Sequence, residues 1–311
     1  MSKTEQIKQE QKSLQKSRTL NDPLDTVFTE KVSILFAKLF NKLGFHPNVV
    51  TVFSMITGVA GGVMLAFHNL ALEITGVCLI ILSAIFDCAD GQVARMSGKG
   101  GFYGRCFDGF GDGLVYFAIY VGISVRLMSE SIPFTNTPWS FWIWFVSVPV
   151  GIYFHAVQAR TADYYKQVWM YLSKNSHCEF STSESVKKQI DTLESHGLKH
   201  LICSSYLSYT KSQERMTPNF QKLRQRIDEN GGVIPEKVTE TWRKNSRFSI
   251  GLTNLLVFNF RTYLLFILLF CGVTFWIFPV CVIFLEGIRI FLLVKYERLA
   301  KRCLKEGFNE I

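Results

Sequence analysis

The sequence predicts an all-α polytopic membrane protein: six transmembrane helices, an N-terminal interfacial amphipathic helix and a cytoplasmic helical insertion. Three observations predict it. Of 311 residues, 48% are apolar and only 19% charged, against roughly 25% charged in soluble proteins. The apolar residues gather in six runs suited to crossing a hydrocarbon core about 30 Å thick. Lys and Arg collect in alternate connections between those runs, the asymmetry that sets membrane orientation. The same composition excludes a disordered chain, a collagen-like fibre and a small disulfide scaffold.

Taken in order, residues 1–23 are a polar tail rich in Gln, Lys and Ser, with no apolar core for a signal peptide. Residues 24–46 read as an amphipathic helix, because Leu24, Phe28, Val32, Leu35, Phe36, Leu39 and Leu43 recur at three- and four-residue spacing. Lys31, Lys38 and Lys42 take other positions, so the helix is expected to lie in the membrane interface. Pro47 suits the first turn of the next helix, where its missing N–H has no partner to lose. Residues 47–160 hold spans one to four, at about 49–68, 71–86, 107–125 and 139–157. Trp139, Trp142 and Trp144 look like an interfacial belt. Residues 161–247 are a polar cytoplasmic insertion, with helical patches near 183–195 and 211–229 and breaks at Gly231, Gly232 and Pro235. Residues 248–302 hold spans five (Leu252 to about Val273) and six (Phe275 to about Val294), and 303–311 form a short tail.

An even number of spans puts both termini on one side. The N-terminal stretch, the connection at 87–106, the insertion and the C-terminal tail share that side. Before residue 47 there are eight Lys/Arg against five acids, and between 160 and 250 fifteen against ten. The opposite loops are nearly bare of Lys/Arg, so the basic side is cytoplasmic. The net charge of +9 thus flanks apolar spans and suits contact with anionic lipid. Nucleic-acid binding would want one clustered basic stripe.

The eight cysteines include no C-x-x-C pair, and Cys78, Cys88, Cys106, Cys271 and Cys281 lie in or beside apolar runs. They read as small hydrophobes rather than a disulfide framework. His196, His200 and Cys203, with Cys178, have a metal-like spacing but lack the paired motifs of structural zinc sites.

The chemistry concentrates in Asp87-Cys-Ala-Asp90-Gly91-Gln-Val-Ala94-Arg95, eight residues, then Gly104-Arg-Cys-Phe-Asp108-Gly-Phe-Gly-Asp112. On helices, Asp87 and Asp90 share one face, and so do Asp108 and Asp112. The Gly-rich connection between lets the two pairs turn toward each other. An acid near mid-membrane costs about 2.5–3.5 kcal/mol on insertion scales, and four carboxylates repel one another. Hard divalent cations offset such a cluster better than Arg95 and Arg105 alone. Two metal ions would neutralise the acids and polarise a pyrophosphate. Gly91, Ala94 and Gly104 carry little side chain, so a nucleotide could approach the backbone.

This stretch resembles the signature of the CDP-alcohol phosphotransferase (CDP-alcohol phosphatidyltransferase) family at every fixed position. The resemblance extends to Pro47-Asn48-x-x-Thr51, the interfacial helix and the six-span layout; 161–247 is not part of the family core. It implies a membrane enzyme of phospholipid synthesis that transfers a phospho-alcohol group from a CDP-linked lipid such as CDP-diacylglycerol to an alcohol, releasing CMP. It implies Mg²⁺ or Mn²⁺ in a two-metal site, with Asp87, Asp90, Asp108 and Asp112 at the metals and Asp112 as general base. Gly91, Ala94, Arg95 and Gly104 would form the CDP pocket, Asn48 and Thr51 making a lesser contact. Arg160, in Gln158-Ala-Arg-Thr-Ala-Asp163, resembles a segment of inositol-phosphate-using members, and Arg261 inside span five is a second acceptor candidate. Gly113 stands where several subfamilies place an Arg, Lys or Ser, so the acceptor class stays open. The resemblance also implies a homodimer.

Three other readings remain at this stage. A CDP-choline or ethanolamine-type transferase would reverse the roles of lipid and polar alcohol. A membrane prenyltransferase would carry a second acidic motif in a later span, and none is present. A metal transporter would not need Gly-x-x-Ala-Arg at fixed spacing, and no inverted repeat is visible.

Overall fold

A computed structural model describes residues 29–173, 182–193 and 197–308. The N-terminal tail, with Leu24 and Phe28 of the amphipathic stripe, lies outside the described residues, as do Cys178 and His196. The described residues are helical, joined by turns, with one isolated β-bridge between Ser131 and Pro138. Five helical stretches are long and apolar enough to cross a membrane, or six when one bent pair counts as a span. The protein is therefore an integral membrane protein. It divides into two compact units, one up to Ile152 and one from Tyr153.

The first unit opens with α1 (Glu30–Lys42). Pro47 sits in the first turn of α2 (Pro47–Met64), whose N-terminus is capped by His46 accepting from the Asn48 amide at 3.3 Å. Asn69 caps α3 (Leu70–Ser97) by accepting from Ala71 and Leu72 at 3.0 and 3.2 Å. Gly98, in the left-handed region at φ +66, ends α3 and turns the chain toward α4 (Phe102–Leu127). α2, α3 and α4 pack through small residues. A Cβ on Gly122 would run into the carbonyl of Gly62, and one on Gly61 would lie 2.7 Å from the carbonyl oxygen of Gly76. Such close backbone approach is how apolar spans associate when lipid removes the hydrophobic drive. Ser54 and Ser83 add reciprocal bonds, each hydroxyl donating to the other's carbonyl at 3.0 and 2.8 Å.

The far end of this bundle is tied by Arg126. It donates to Glu73 at 2.7 Å, to Glu130 at 3.1 Å and to the Phe67 carbonyl at 3.0 Å. A short helix, α5 (Trp144–Val148), follows. Of the expected aromatic belt, Trp142 is exposed, with Phe141 and Phe145 exposed near it, whereas Trp139 and Trp144 are half-buried.

The amphipathic stripe of α1 is split by the fold. Phe36, Ala37 and Phe40 turn into a core with Val50, Ala89 and Val93, whereas Leu35, Leu39 and Leu43 stay 70%, 50% and 60% exposed.

The second unit holds α6 (Ala156–Leu172), α7 (Ser183–Asp191), α8 (Leu198–Met216), α9 (Pro218–Glu229), α10 (Glu236–Leu252), α11 (Phe258–Phe270) and α12 (Glu286–Phe308). Glycines 231 and 232, at φ +70 and +75, separate α9 from α10, at the predicted break. The fifth span differs from the straight Leu252–Val273 helix predicted. α10 and its 3₁₀ extension meet α11 at 46°. The reason is local: Thr253 donates its hydroxyl to the Ile250 carbonyl at 2.6 Å, competing for the acceptor at the helix end, and Val257 is extended.

The last helical stretch, Thr274–Phe308, has 35 residues and so reaches about 52 Å, well beyond the membrane core. α12 thus outruns the sixth span expected to end near Val294 and scaffolds the polar helices. Tyr165 of α6 stacks on Tyr296 of α12 at 4.1 Å, with Trp242 and Phe220 beside them. Glu297 accepts from the amides of Asn219 and Phe220 at 2.8 and 3.3 Å, capping α9 where its dipole favours an anion. Cys203 is buried and His200 exposed, an arrangement that brings them to no shared site.

Candidate active site

The acids sit at the end of α3 and the start of α4, beside the start of α2. Helical spacing places Asp87 and Asp90 on one face of α3, and the turn at 98–101 returns the chain so that α4 brings Asp108 to them. One carboxylate oxygen each from Asp87, Asp90 and Asp108 lie within 4.8 Å of one another. Asp90 is buried; Asp87, Asp108 and Asp112 are half-buried. Three full charges at that spacing repel by about 3.5 kcal/mol per pair at an effective dielectric near 20. At this spacing full charges are tolerated only around a proton or a cation. Hard oxygen donors converging from two helices fit a divalent cation. Asp112, one turn beyond Asp108, adds its charge to the field at Asp87 and Asp90 but lies outside the oxygen triad.

Thr51 makes a contact that its place in the sequence does not reveal. Its hydroxyl donates to Asp90 Oδ2 at 2.5 Å and lies 3.3 Å from the Pro47 carbonyl, buried at 4% exposure. It orients an acid, a role the sequence motif alone did not assign. Asn48 is half-buried, its Oδ1 3.5 Å from where a Cβ on Gly104 would stand. A Cβ on Gly91 would lie 3.6 Å from Nη1 of Arg95, one turn along. Ala94 is half-buried and Arg95 exposed. Asn48, Gly91, Arg95 and Gly104 therefore pair up as two glycines, each beside a polar side chain, flanking the acids.

Arg160 and Arg261 belong to the second unit. The Arg160 guanidinium lies over the ring of Tyr209, 5.4 Å from its centroid, and Tyr209 donates to Asp163 at 2.9 Å. Burial, with Asp163 beside it, pushes the Tyr209 phenol well above its ordinary range, so it remains a donor. Arg261 is 4% exposed and donates to Gln158 Oε1 at 2.8 Å. Its Nε and Nη1 are buried with no partner among the described residues. Glu286 pairs with Arg289, as their three-residue spacing suggests, and also accepts from Gln158 at 3.1 Å.

Sequence reasoning missed a polar contact behind the acids. Ser33 of α1 accepts from Gln92 at 2.8 Å, and its hydroxyl lies 3.1 Å from Cys88 Sγ. The available signal was Ser33 itself, a polar residue on the side of α1 away from its lysines.

The span that carries this cluster also carries the decisive match: residues 45–171 fit the family model of CDP-alcohol phosphatidyltransferase. Over those residues the chain is similar to that family. No curated protein and no solved structure matches it. The CDP-alcohol phosphatidyltransferase segment takes in α2 to α6 almost entire and leaves out α1 and the helices after Tyr171. The match supports a membrane transferase that moves a phosphatidyl-type group from a CDP-alcohol to an alcohol.

Proposed function

We propose that the protein uses CDP-diacylglycerol as donor at the cytoplasmic face and a phosphorylated polyol, such as an inositol phosphate, as acceptor. The observation that carries the reading is the convergence of Asp87, Asp90 and Asp108 with Asp112 one helical turn beyond. The three acids would hold Mg²⁺ or Mn²⁺, with Asp112 alongside. Bound there, the cation neutralises pyrophosphate charge and makes its phosphorus more electrophilic. Gly91 and Gly104 leave room for the cytidine and its ribose, with Asn48 and Arg95 as polar contacts and Ala94 small enough to admit them. The acceptor hydroxyl oxygen forms a bond to the β-phosphorus, and the bond from that phosphorus to the bridging oxygen breaks. CMP leaves with the bridging oxygen, and Asp112 takes the hydroxyl proton. A base with this task must come within hydrogen-bond reach of the attacking oxygen, and Asp112 stands one helical turn beyond the oxygen triad.

Within the second unit, Arg261 has the character of an anion partner. A guanidinium buried in a span with two unpartnered N–H groups is costly unless an anion completes it. Arg160, held by Tyr209, is the other acceptor candidate from the sequence.

The test is CMP release by the purified protein with CDP-diacylglycerol, Mg²⁺ or Mn²⁺, and glycerol phosphate, serine, inositol or inositol phosphate in turn. Release with a phosphorylated acceptor alone, lost in Asp112→Asn, is the expected result. Release with serine or free inositol overturns the acceptor assignment. Release only with CDP-choline and diacylglycerol overturns the donor.

A further inference from the structure

α1 occupies an unusual position: it backs the catalytic end of α3. At about 100° per residue, Cys88, Ala89, Gln92 and Val93 form the face of α3 opposite Asp87, Asp90 and Ala94. That face meets α1. Ala89 and Val93 are fully buried against Ala37 and Phe40, and Ser33 joins both Gln92 and Cys88. Gln92 is 1% exposed and Ser33 0%. Cys88 directly follows Asp87, and Gln92 stands two residues after Asp90, so a shift of α1 is felt at two metal-ligand candidates.

The other side of α1 faces outward. Leu35, Leu39 and Leu43 are exposed, Lys31, Lys38 and Lys42 are exposed among them, and the helix's single acid, Glu30, is 7% exposed. Four residues separate α1 from Pro47 at the start of the first span, a reach of about 14 Å. The outward face is therefore within reach of the membrane surface, and it carries the apolar ridge and the lysines together. Its charge fits anionic phospholipid headgroups.

We propose that α1 is a lipid-dependent brace: an anionic leaflet holds its Leu/Lys face, and the Ser33–Gln92–Cys88 contact transmits that hold to the acid-bearing end of α3. The proposal rests on the acids binding a divalent cation, and is independent of which CDP-linked donor or acceptor is used.

The test uses full-length protein in nanodiscs of phosphatidylcholine alone or with roughly one-third phosphatidylglycerol, an anionic content that gives a strong surface potential. Alkylation of Cys88 by N-ethylmaleimide, followed by peptide mass spectrometry, reports whether Ser33 covers the thiol. Alkylation should slow about tenfold in the anionic discs, and Lys31, Lys38 and Lys42→Gln together should erase the difference. In the anionic discs Mn²⁺ alone should raise Tm; Ser33→Ala and Gln92→Leu should shrink that rise by at least half, and Ser33→Thr should keep it. Equal alkylation in both lipids overturns the brace. So does slowing that tracks protein concentration, which would make the ridge a contact between copies. An undiminished Mn²⁺ response in both Ser33→Ala and Gln92→Leu overturns the transmission step. CMP release measured in the same discs separates the two readings: a brace response without transfer refutes the proposed reaction and leaves the brace standing.

Discussion

Thr51→Val removes one hydroxyl and little else, since the side chains are nearly the same shape. The hydroxyl is buried and donates to Asp90 Oδ2 at 2.5 Å. A hydrogen bond to a charged acceptor contributes about 1.5–3 kcal/mol. If that energy orients Asp90 toward the cation, its loss weakens metal binding about 10- to 150-fold, in line with the roughly 10- to 100-fold cost of losing an outer partner of a metal ligand. The assay is CMP release against Mn²⁺ concentration at saturating CDP-diacylglycerol, with KM for the lipid measured at saturating Mn²⁺. The expected result is a rightward shift in the Mn²⁺ curve, with KM for the lipid nearly unchanged and Thr51→Ser close to the parent. An unshifted Mn²⁺ curve with a raised lipid KM would refute the reasoning and return Thr51 to the nucleotide contact that the sequence motif suggests.

Four further outcomes are expected. Asp112→Asn should lower CMP release about 10²- to 10⁴-fold while keeping the Mn²⁺-induced rise in Tm; loss of both would make Asp112 a metal ligand first. Arg126→Met breaks a pair whose side chains are 9% and 11% exposed and should cost about 3–5 kcal/mol of stability. Activity per folded molecule should hold, because Arg126 lies 14 residues from Asp112 along α4, about 21 Å; a fall in kcat without a fall in Tm would contradict this. Gly122→Ala forces a methyl into the Gly62 carbonyl and should lower Tm by the equivalent of about 1–3 kcal/mol, and a parental Tm would refute the close approach. Tyr209→Leu removes the ring under Arg160 and should raise acceptor KM severalfold, a cation–π contact contributing about 0.5–2 kcal/mol, with KM for the CDP-lipid unmoved; equal changes in both would assign Tyr209 a purely structural role.

What the sequence by itself determined is what depends on neighbours along the chain. Apolar runs long enough to cross a bilayer, Pro47 and Gly98 at helix ends, the breaks at Gly231 and Gly232, and the three-residue pairing of Glu286 with Arg289 are all local. The acid motif belongs here too, because helical spacing sets Asp87 with Asp90 and Asp108 with Asp112 before any fold is known. The tertiary structure decided which faces meet. Periodicity gives α1 one apolar stripe, but only packing shows that Phe36 and Phe40 turn inward while Leu35, Leu39 and Leu43 stay outside. Thr51 to Asp90, Ser33 to Gln92 and Arg126 to Glu73 join residues 39, 59 and 53 apart, and spacing along a helix carries no information about such pairs. The bend at Thr253 and the length of α12 were hidden for a related reason. Apolar composition records that a segment can cross a membrane, whereas where a helix breaks or continues is set by the hydrogen bonds and aromatic contacts at its ends.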